Sequence, residues 1–573
     1  MFWSKKSVCE KLQKEITDGL GVSDLVSEIL INRGIDSLIK AQSFLHPKLA
    51  LLSDPYQVPN LKRAVDRICT AIKKKEKILI VGDYDVDGIS STVMTMKILA
   101  NFDLIANFVI PFRKSEGYGL SKEVLERGIE KSDCSLIIAL DCGTNSWEEA
   151  EILQKNKIDL VVIDHHKSKG EIHPHCLIVN PHLSEIGSEW TNLCTAGLCF
   201  KLAHGIIKCK RENGDKNAFE ISPKDFLSLA ALGTLADMVP LKSENRIFAK
   251  YGLKHLRKRP TKGLEALMSV AKVDLRYPLD SEDIAFQMAP RLNACGRLDR
   301  PEVAAKLLLA NDPSEASELA LLTNKFNEER KQIESKLTKS AILQAEEKFS
   351  EKDAVVIKGK GEDWIPGIVG IIAGKLCNSL NKPTLVLAYD QGKYKGSGRG
   401  IESVNLVDAL AHCEKFLDHW GGHPAAVGLT VDEKYIEEFT EAFLTYIEKE
   451  NTGMKSEPSI IIDSFLTVDQ INCQLLKEIE VLGPFGQDNP EPVFGLRDLV
   501  LKTKPKRVGC GEHFQFRISS EIDSIPGIAW NMSDRIPPLN QKIDLAFRIR
   551  WNRWKNQNGI QVVLTDWRLS EKS

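Results

Sequence analysis

Lys77-Ile78-Leu79-Ile80-Val81-Gly82-Asp83-Tyr84-Asp85-Val86-Asp87-Gly88 passes from an apolar, β-branched run to three carboxylates on alternate positions. Lys77–Gly82 has the length and composition of a buried strand. Asp83, Asp85 and Asp87 follow at its carboxyl end, and in extended chain such alternation points side chains to one side. No lysine lies among them. Like charges at roughly 4 Å repel by about 4 kcal/mol at an effective dielectric near 20, which bound cations would relieve. The plainer alternative is a solvated acidic turn that caps a helix. A calcium loop is disfavoured, because the twelfth position from Asp83 is Met94 where a bidentate Glu is required.

Working outward, Ile105–Ile110, Ser135–Leu140, Asp159–Ile163 and Cys176–Asn180 are further short apolar runs, separated by amphipathic stretches. That alternation predicts an α/β lobe with a parallel sheet, whose ligand crevice lies outside the carboxyl ends of the strands. Two more of these runs end in acidic residues: Asp141-Cys142-Gly143-Thr144-Asn145 and Asp164-His165-His166. A lone histidine is usually an ordinary packed residue; two in succession after an Asp, at a ligand-facing strand end, point to a site. Carboxylates mixed with imidazole suit manganese or magnesium, and the lack of a Cys-x-x-Cys pair argues against structural zinc. Asp237 lies in Leu232–Pro240, toward the end of an otherwise apolar helix expected over about Pro223–Val239, and either simply ends it or completes a two-metal set.

At 573 residues, with about 150 per domain, three or four domains are expected. Hydrophobic residues at 43% and charged residues at 27% describe a globular chain, not a disordered or repetitive one. No apolar stretch approaches the roughly 20 residues of a membrane span, and the first residues lack a secretory pattern, so the expectation is a cytoplasmic protein with no membrane association. Thirteen scattered cysteines, many in apolar runs such as Cys134, Cys142, Cys199 and Cys377, read as buried free thiols. Net charge is −2, from 77 basic and 79 acidic residues, so any nucleic-acid surface must be local.

The division expected is an N-terminal helical segment over 1–50, a catalytic lobe over 51–313, a helical connector over 314–352, a second α/β lobe over 353–452 and a β-barrel over 453–573. The connector has no Gly or Pro and is rich in charge, which reads as a solvated helix between lobes. Strands are expected at Ala354–Lys358 and Thr384–Tyr389, helices near Ile368–Leu380 and Val404–His412, and a glycine-rich turn at Lys393–Ile401. That turn fails the dinucleotide pattern at Ile401, and Gly374-Lys375 is followed by Leu376, which undermines a phosphate loop; no ATP or NAD site is supported. The final region favours short strands. Over Arg497–Lys555 there are 12 Lys+Arg and 6 Asp+Glu, with Trp530, Phe547, Trp551 and Trp554 interleaved with Arg548, Arg550 and Arg553. Single-strand grooves use that mixture for stacking and charge neutralisation, although aromatic residues in strands are more often core.

Taken together, the motifs resemble the DHH phosphoesterase superfamily, and within it the single-strand-specific exonucleases. The resemblance spans Asp83–Gly88, Asp141–Asn145, Asp164–His166, Leu232–Leu241, Arg291–Leu298, Trp364–Ala373, Ser397–Arg399, Gly421–His423 and Gly483–Pro490. It implies a DHH domain with a parallel sheet, a DHH-associated domain joined to it by a long helix, and a C-terminal OB-fold β-barrel. It further implies that Asp85, Asp87, Asp141, His165 and Asp237 hold two Mn2+ or Mg2+ ions with Asp141 as the bridge. Asp83 and His166 would complete the catalytic set, behind the metal ligands or on phosphate oxygens. Arg113, Ser397 and Arg399 would grip the 5′-phosphate, Arg291, Asn293 and Arg297 would clamp the backbone further along, and His423 would approach the scissile phosphate from the second lobe. Gly88 beside the metals lets backbone approach a phosphate at a helix N-terminus.

The function so implied is metal-dependent 5′→3′ hydrolysis of single-stranded DNA to 5′-mononucleotides by two-metal in-line attack, in DNA repair and recombination, with a helicase and a single-strand-binding protein as candidate partners. The alternatives are a phosphodiesterase of the same superfamily acting on short oligonucleotides or cyclic dinucleotides, and a non-catalytic DNA-binding scaffold. The basic aromatic barrel argues for a polymer, and the complete ligand set argues for catalysis.

Overall fold

The computed structural model describes residues 2–168, 170–184, 190–450, 459–519, 524–552 and 559–570. Two compact units form: Asp54–Asp237 with Gly252–Ser456, and Met1–Ser53 with Met238–Tyr251 and Glu457–Ser573.

In the larger unit, the first lobe is built on five parallel strands in the spatial order Asn107–Val109, Ile78–Gly82, Leu136–Leu140, Asp159–Ile163, Cys176–Val179. Each matches an expected strand, with Ile105–Ile110 trimmed at both ends. The first two strands of this lobe are inverted in this order, so the sheet reverses direction of growth between Ile78–Gly82 and Leu136–Leu140. That switch point is where a doubly wound sheet opens its crevice. Asp83 and Asp141 follow these two strands directly. Both strands are buried along their whole length, as befits a sheet covered on both faces. The helix Val86–Ala100 is also almost entirely buried, packed on Thr195–Glu212 and Leu227–Ala236. Its interior is rich in Ser90, Ser91, Thr92 and Thr95, small enough to let helices approach closely.

The second lobe has a five-stranded mixed sheet in the order Leu417–His423, Ala426–Asp432, Lys393–Arg399, Thr384–Asp390, Val355–Gly359. The glycine-rich stretch expected as a turn is a strand, Lys393–Arg399, paired on both edges. Its glycines serve packing: a Cβ on Gly398 would lie 2.5 Å from the Leu385 side chain and 2.7 Å from that of Val427.

The expected connector is a 37-residue helix, Pro313–Phe349, and it is not simply solvated. Leu337, Ala341, Ala345 and Phe349 belong to the second lobe's core, while Ala316, Ala320 and Thr323 are buried in the half that packs on Lys262–Val270, Ala289–Arg297 and Pro301–Leu309. Its buried stripe is mostly alanine and polar residues, so the apolar signal in the sequence is weak.

In the smaller unit, a seven-stranded mixed sheet runs Ser464–Phe465, Phe494–Val500, Lys542–Trp551, Ile560–Leu569, Ser524–Ala529, His513–Ser519, Lys506–Val508. Phe494, Phe514 and Phe547 fill its core together with Ile16, Ile29 and Leu30 from the N-terminal helices Glu10–Leu20 and Asp24–Asn32. The N-terminal segment is therefore not all helical packing. It opens with a strand, Phe2–Ser4, parallel to Ser459–Ile461, because Trp3 is buried and its Nε1 donates to Asp566 at 3.0 Å. The motif Gly483–Pro490 wraps the Arg246 guanidinium, which donates to the carbonyls of Phe44, Leu482 and Gly483 and stacks 3.6 Å over the Phe44 ring.

Of the aromatic residues expected on a nucleic-acid face, Phe547 is core. Trp530 is more than half exposed and edge-packed on His513. Trp551 donates to Glu480, and Arg548 and Arg550 pair with Glu491. Arg553 and Trp554 lie outside the described residues. All thirteen cysteines are free thiols, and Cys134, Cys142, Cys199 and Cys377 are buried as expected. Among the described residues, no helix is long and apolar enough to cross a membrane.

One backbone approach tests this packing. Gly263, in the Lys262–Val270 helix, would place a Cβ 1.8 Å from the Leu307 carbonyl oxygen. Gly263→Val must displace backbone, and we expect a loss of roughly 1–3 kcal/mol, read as a lowered thermal unfolding midpoint, whereas an exposed control such as Gly214→Asn should leave the midpoint within a degree or so.

Candidate metal centre

Each acidic side chain at the switch point is fixed by local chain geometry. Asp85 caps the Val86–Ala100 helix, its Oδ1 accepting from Asp87 N at 2.9 Å and Gly88 N at 3.1 Å. Asp87, in the first turn, reaches the start of the Thr195–Glu212 helix. Its Oδ2 accepts from Thr195 N at 2.7 Å and its Oδ1 from Ala196 N at 2.8 Å. Asp141 adopts a left-handed backbone, φ 64°, just past its strand, and its Oδ1 accepts from Thr195 Oγ1 at 2.9 Å. Gly88 and Gly233 are demanded by space: a Cβ on Gly88 would lie 2.7 Å from Asp83 backbone, and one on Gly233 2.6 Å from Asp87 Oδ1.

His165 Nε2 faces three carboxylates, at 3.4 Å from Asp141 Oδ1, 3.7 Å from Asp237 Oδ2 and 3.9 Å from Asp87 Oδ2. Three donor groups of metal-binding size overlap here: Asp83, Asp85 and Asp141; Asp87, His165 and Asp237; and Asp141, His165 and His166. All seven expected catalytic residues therefore come together, with Asp141 and His165 each shared between two groups. The donor set fits divalent cations that take oxygen and imidazole. Asp83 Oδ1 is buried and has no hydrogen-bond partner, as expected of a ligand atom turned toward a cation. Burial, then the neighbouring Asp85 charge, pushes the Asp83 carboxyl well above its ordinary range. Burial and the Asp87 and Asp85 charges do the same to Asp141, and Asp237 is raised by burial and Asp87 to about 7. Such carboxylates shed their excess repulsion when they share positive charge.

Asp164 does not join these groups. It accepts from His165 N at 2.8 Å, His166 N at 3.2 Å, Thr144 N at 3.3 Å and His166 Nδ1 at 2.7 Å. Burial would raise its carboxyl, but the bond and charge of His166 outweigh that and hold it well below the ordinary range. Burial likewise opposes the His166 cation, while Asp164 and Asp141 raise it to about 9. Tyr118 Oη donates to the Asp141 carbonyl at 3.0 Å and lies 3.1 Å from His166 Nε2. Asp164 was marked in the sequence as the third strand-end carboxylate but given no role, and Thr195 and Tyr118 were not singled out, since nothing in their local sequence marks them.

A basic cluster adjoins the acidic one. Arg113 lies over the Tyr84 ring at 5.0 Å, and its charge reaches Asp83. Arg399 Nη1 donates to Ser397 Oγ at 2.9 Å and to the Gly398 carbonyl at 2.7 Å. Burial lowers Arg399, as does Arg113. Arg297 is pushed down to about 10 by burial and by Arg113, Arg330 and Arg399 around it, and its Nη1 donates across to the Gly367 carbonyl at 2.7 Å. Asn293 Oδ1 accepts from Val86 N at 3.2 Å, supporting the acidic loop. Arg291 turns to Asn324 Oδ1 and the Gln287 carbonyl. His423 sits exposed at the end of its strand, after Gly422, whose φ of 144° no other residue adopts readily.

Comparison with known proteins matches three segments of the chain. The DHH family N-terminal domain matches residues 77–234 and the DHHA1 domain residues 352–449, so the two lobes are of the DHH class; the RecJ OB domain matches residues 462–566. The single-stranded-DNA-specific exonuclease RecJ of Bacillus subtilis is 33% identical over 576 aligned residues, covering 100% of this chain and 71% of that protein. RecJ of Haemophilus influenzae is 31% identical, covering 92% of this chain and 95% of that one. The crystal structure of RecJ in complex with Mn2+ from Thermus thermophilus superposes with a TM-score of 0.84 at 26% identity, covering 100% of this chain and 80% of that one. The chain belongs to the RecJ family.

Because Asp164 is a buried carboxylate that anchors both histidines, Asp164→Ala leaves His166 without its closest charge partner and three backbone N–H groups, of Thr144, His165 and His166, without an acceptor. We expect a loss of roughly 3–5 kcal/mol in equilibrium unfolding; a loss under about 1 kcal/mol would contradict the anchoring role.

Proposed function

We propose that the chain is a metal-dependent 5′→3′ exonuclease that hydrolyses single-stranded DNA to 5′-mononucleotides. The observation that carries this reading is the meeting of Asp83, Asp85, Asp87, Asp141, His165, His166 and Asp237 in overlapping donor groups beside the Arg113, Arg297 and Arg399 cluster. Relatives named as single-stranded-DNA-specific exonucleases and a family OB domain support a polymeric single strand as substrate.

Asp85, Asp87, Asp141, His165 and Asp237 would hold two Mn2+ or Mg2+ ions, with Asp141 shared between them and Asp83 within reach of the same positions. When bound, such ions supply Lewis acidity to phosphoryl oxygens and acidify a water enough to attack near neutral pH. Thr195 holds Asp141 in place through its hydroxyl, and the Thr195 and Ala196 amides hold Asp87. Asp164 fixes the His166 ring through Nδ1, holding it beside Asp141 and His165 for contact with a phosphate oxygen. Arg113, Ser397 and Arg399 take the 5′-phosphate, the planar guanidinium suiting phosphate geometry. Arg291, Asn293 and Arg297 flank the strand and His423 approaches from the second lobe. A strand gripped by its 5′ end offers its first internal phosphodiester to the acidic cluster, which gives the polarity.

The free thiols throughout the chain fit a reducing cytoplasm, the compartment this reading assigns. DNA repair and recombination form its setting, with a helicase to supply single strands and a single-strand-binding protein on them as its partners.

Digestion of 3′-labelled strands with and without a 5′-phosphate, under manganese, tests reaction, substrate and direction together. Asp141→Ala should lower kcat on the order of 10³-fold or more; retained activity would remove the centre from catalysis. Arg399→Ala should raise KM roughly 10- to 100-fold on 5′-phosphorylated strands and leave 5′-hydroxyl strands nearly unaffected, as expected for loss of charge-assisted hydrogen bonds to one group. An equal change on both substrates would place the 5′-phosphate elsewhere.

A further inference from the structure

The exposed side of the Pro313–Phe349 helix carries a second basic feature. A groove of about 470 Å³ is lined there by Arg330, Lys331, Thr338 and Lys339, with Glu334 and, from the Pro366–Leu380 helix, Lys375. Residues 331, 335 and 339 stand at four-residue spacing, so their side chains share one face. Four cations meet one carboxylate. Glu334 is buried and already engaged on both oxygens, with Arg330 Nη1 at 2.7 Å and Lys375 Nζ at 2.6 Å. Lys331 lies 3.1 Å from Glu328, an exposed pair worth little.

Two residues of the groove also carry unpartnered polar atoms beneath its surface. Arg330 Nε and Thr338 Oγ1 are buried atoms without a hydrogen-bond partner. The Arg330 side chain is only 13% exposed, and its other nitrogens are committed to Glu334 and Asn327. Both atoms are closed off from solvent, so what the groove presents to an anion is the positive charge of Arg330 and of the lysine ammonium groups around it. Every lining side chain is polar or charged and none is aromatic, so nothing offers a base a stacking surface. The phosphate, not the base, is what such a groove recognises. Arg330 is also within electrostatic reach of Arg297, which connects the groove to the arginines of the 5′-end cluster.

We propose that this groove is a second phosphate-binding site, separate from the 5′-end arginines, and that it takes a backbone phosphodiester of the single strand. The assignment of the strand as ligand rests on the function proposed above. A free oligophosphate shares the chemistry, and the test separates the two.

The experiment uses the full chain and the double variant K331E/K339E, both positions being exposed. Binding of a 3′-labelled, 5′-phosphorylated 30-nucleotide strand is followed by fluorescence anisotropy in EDTA across a salt series, and inorganic tripolyphosphate is titrated calorimetrically. We expect Kd for the strand to rise about tenfold, and the slope of log K against log salt to flatten by roughly 0.7 for each phosphate that the variant no longer neutralises. KM under manganese should rise for the 30-mer and move less than twofold for a 5′-phosphorylated dinucleotide. Unchanged Kd and slope would overturn the proposal, as would equal KM changes on both substrates. Tripolyphosphate binding abolished in the variant while strand affinity stays intact would overturn the strand as ligand. Because the anisotropy arm needs no cleavage, it still reads the groove if the wild-type chain proves unable to digest DNA, a result that would sink the function and not the site.

Discussion

Negative charge forced out of water is the constraint on which this structure depends. Asp83, Asp87, Asp141 and Asp164 are all buried where three parallel strands end, and Asp164 is paired at 2.7 Å with His166. Four such groups would disrupt the fold if nothing compensated them. The compensation is of two kinds. Backbone amides at two helix starts point at Asp85 and Asp87, and other carboxylate oxygens converge so closely that a divalent ion would satisfy several at once. Folding and cofactor affinity are thus two expressions of the same electrostatic imbalance.

The sequence displayed this centre plainly because strand ends are local. An apolar run that stops at an Asp places that Asp at the sheet's carboxyl edge, and three such runs in one parallel sheet must bring their ends together. Asp237 was legible for a similar reason, as the acidic stop of an apolar helix. What could not be read is the support that arrives from distant chain. Thr195 reaches Asp87 and Asp141 only because the Thr195–Glu212 helix packs on Val86–Ala100, and nothing in its sequence marks it.

Elsewhere the misreadings have a common physical source: small residues. Gly396 and Gly398 signalled a turn, yet they lie in a paired strand whose neighbours leave no room for a side chain. Alanines and polar residues concealed the buried stripe of the long helix. Phe547 carried the opposite ambiguity, since an aromatic in a strand beside arginines fits either a core or a platform, and burial placed it in the core. Trp3 is a smaller instance, an anchoring aromatic in a segment otherwise patterned for helix.

The long helix also has a mechanical role. At about 1.5 Å per residue its 37 residues form a strut near 55 Å long, one half rooted among the helices that carry Arg291 and Arg297, the other in the sheet lobe that carries Ser397 and Arg399. A rod embedded in two hydrophobic cores cannot yield at one without loading the other. Substitutions along the helix itself are therefore where changes in the two lobes share a partner and can couple, whereas changes elsewhere in the two lobes, far apart and without common contacts, are expected to add.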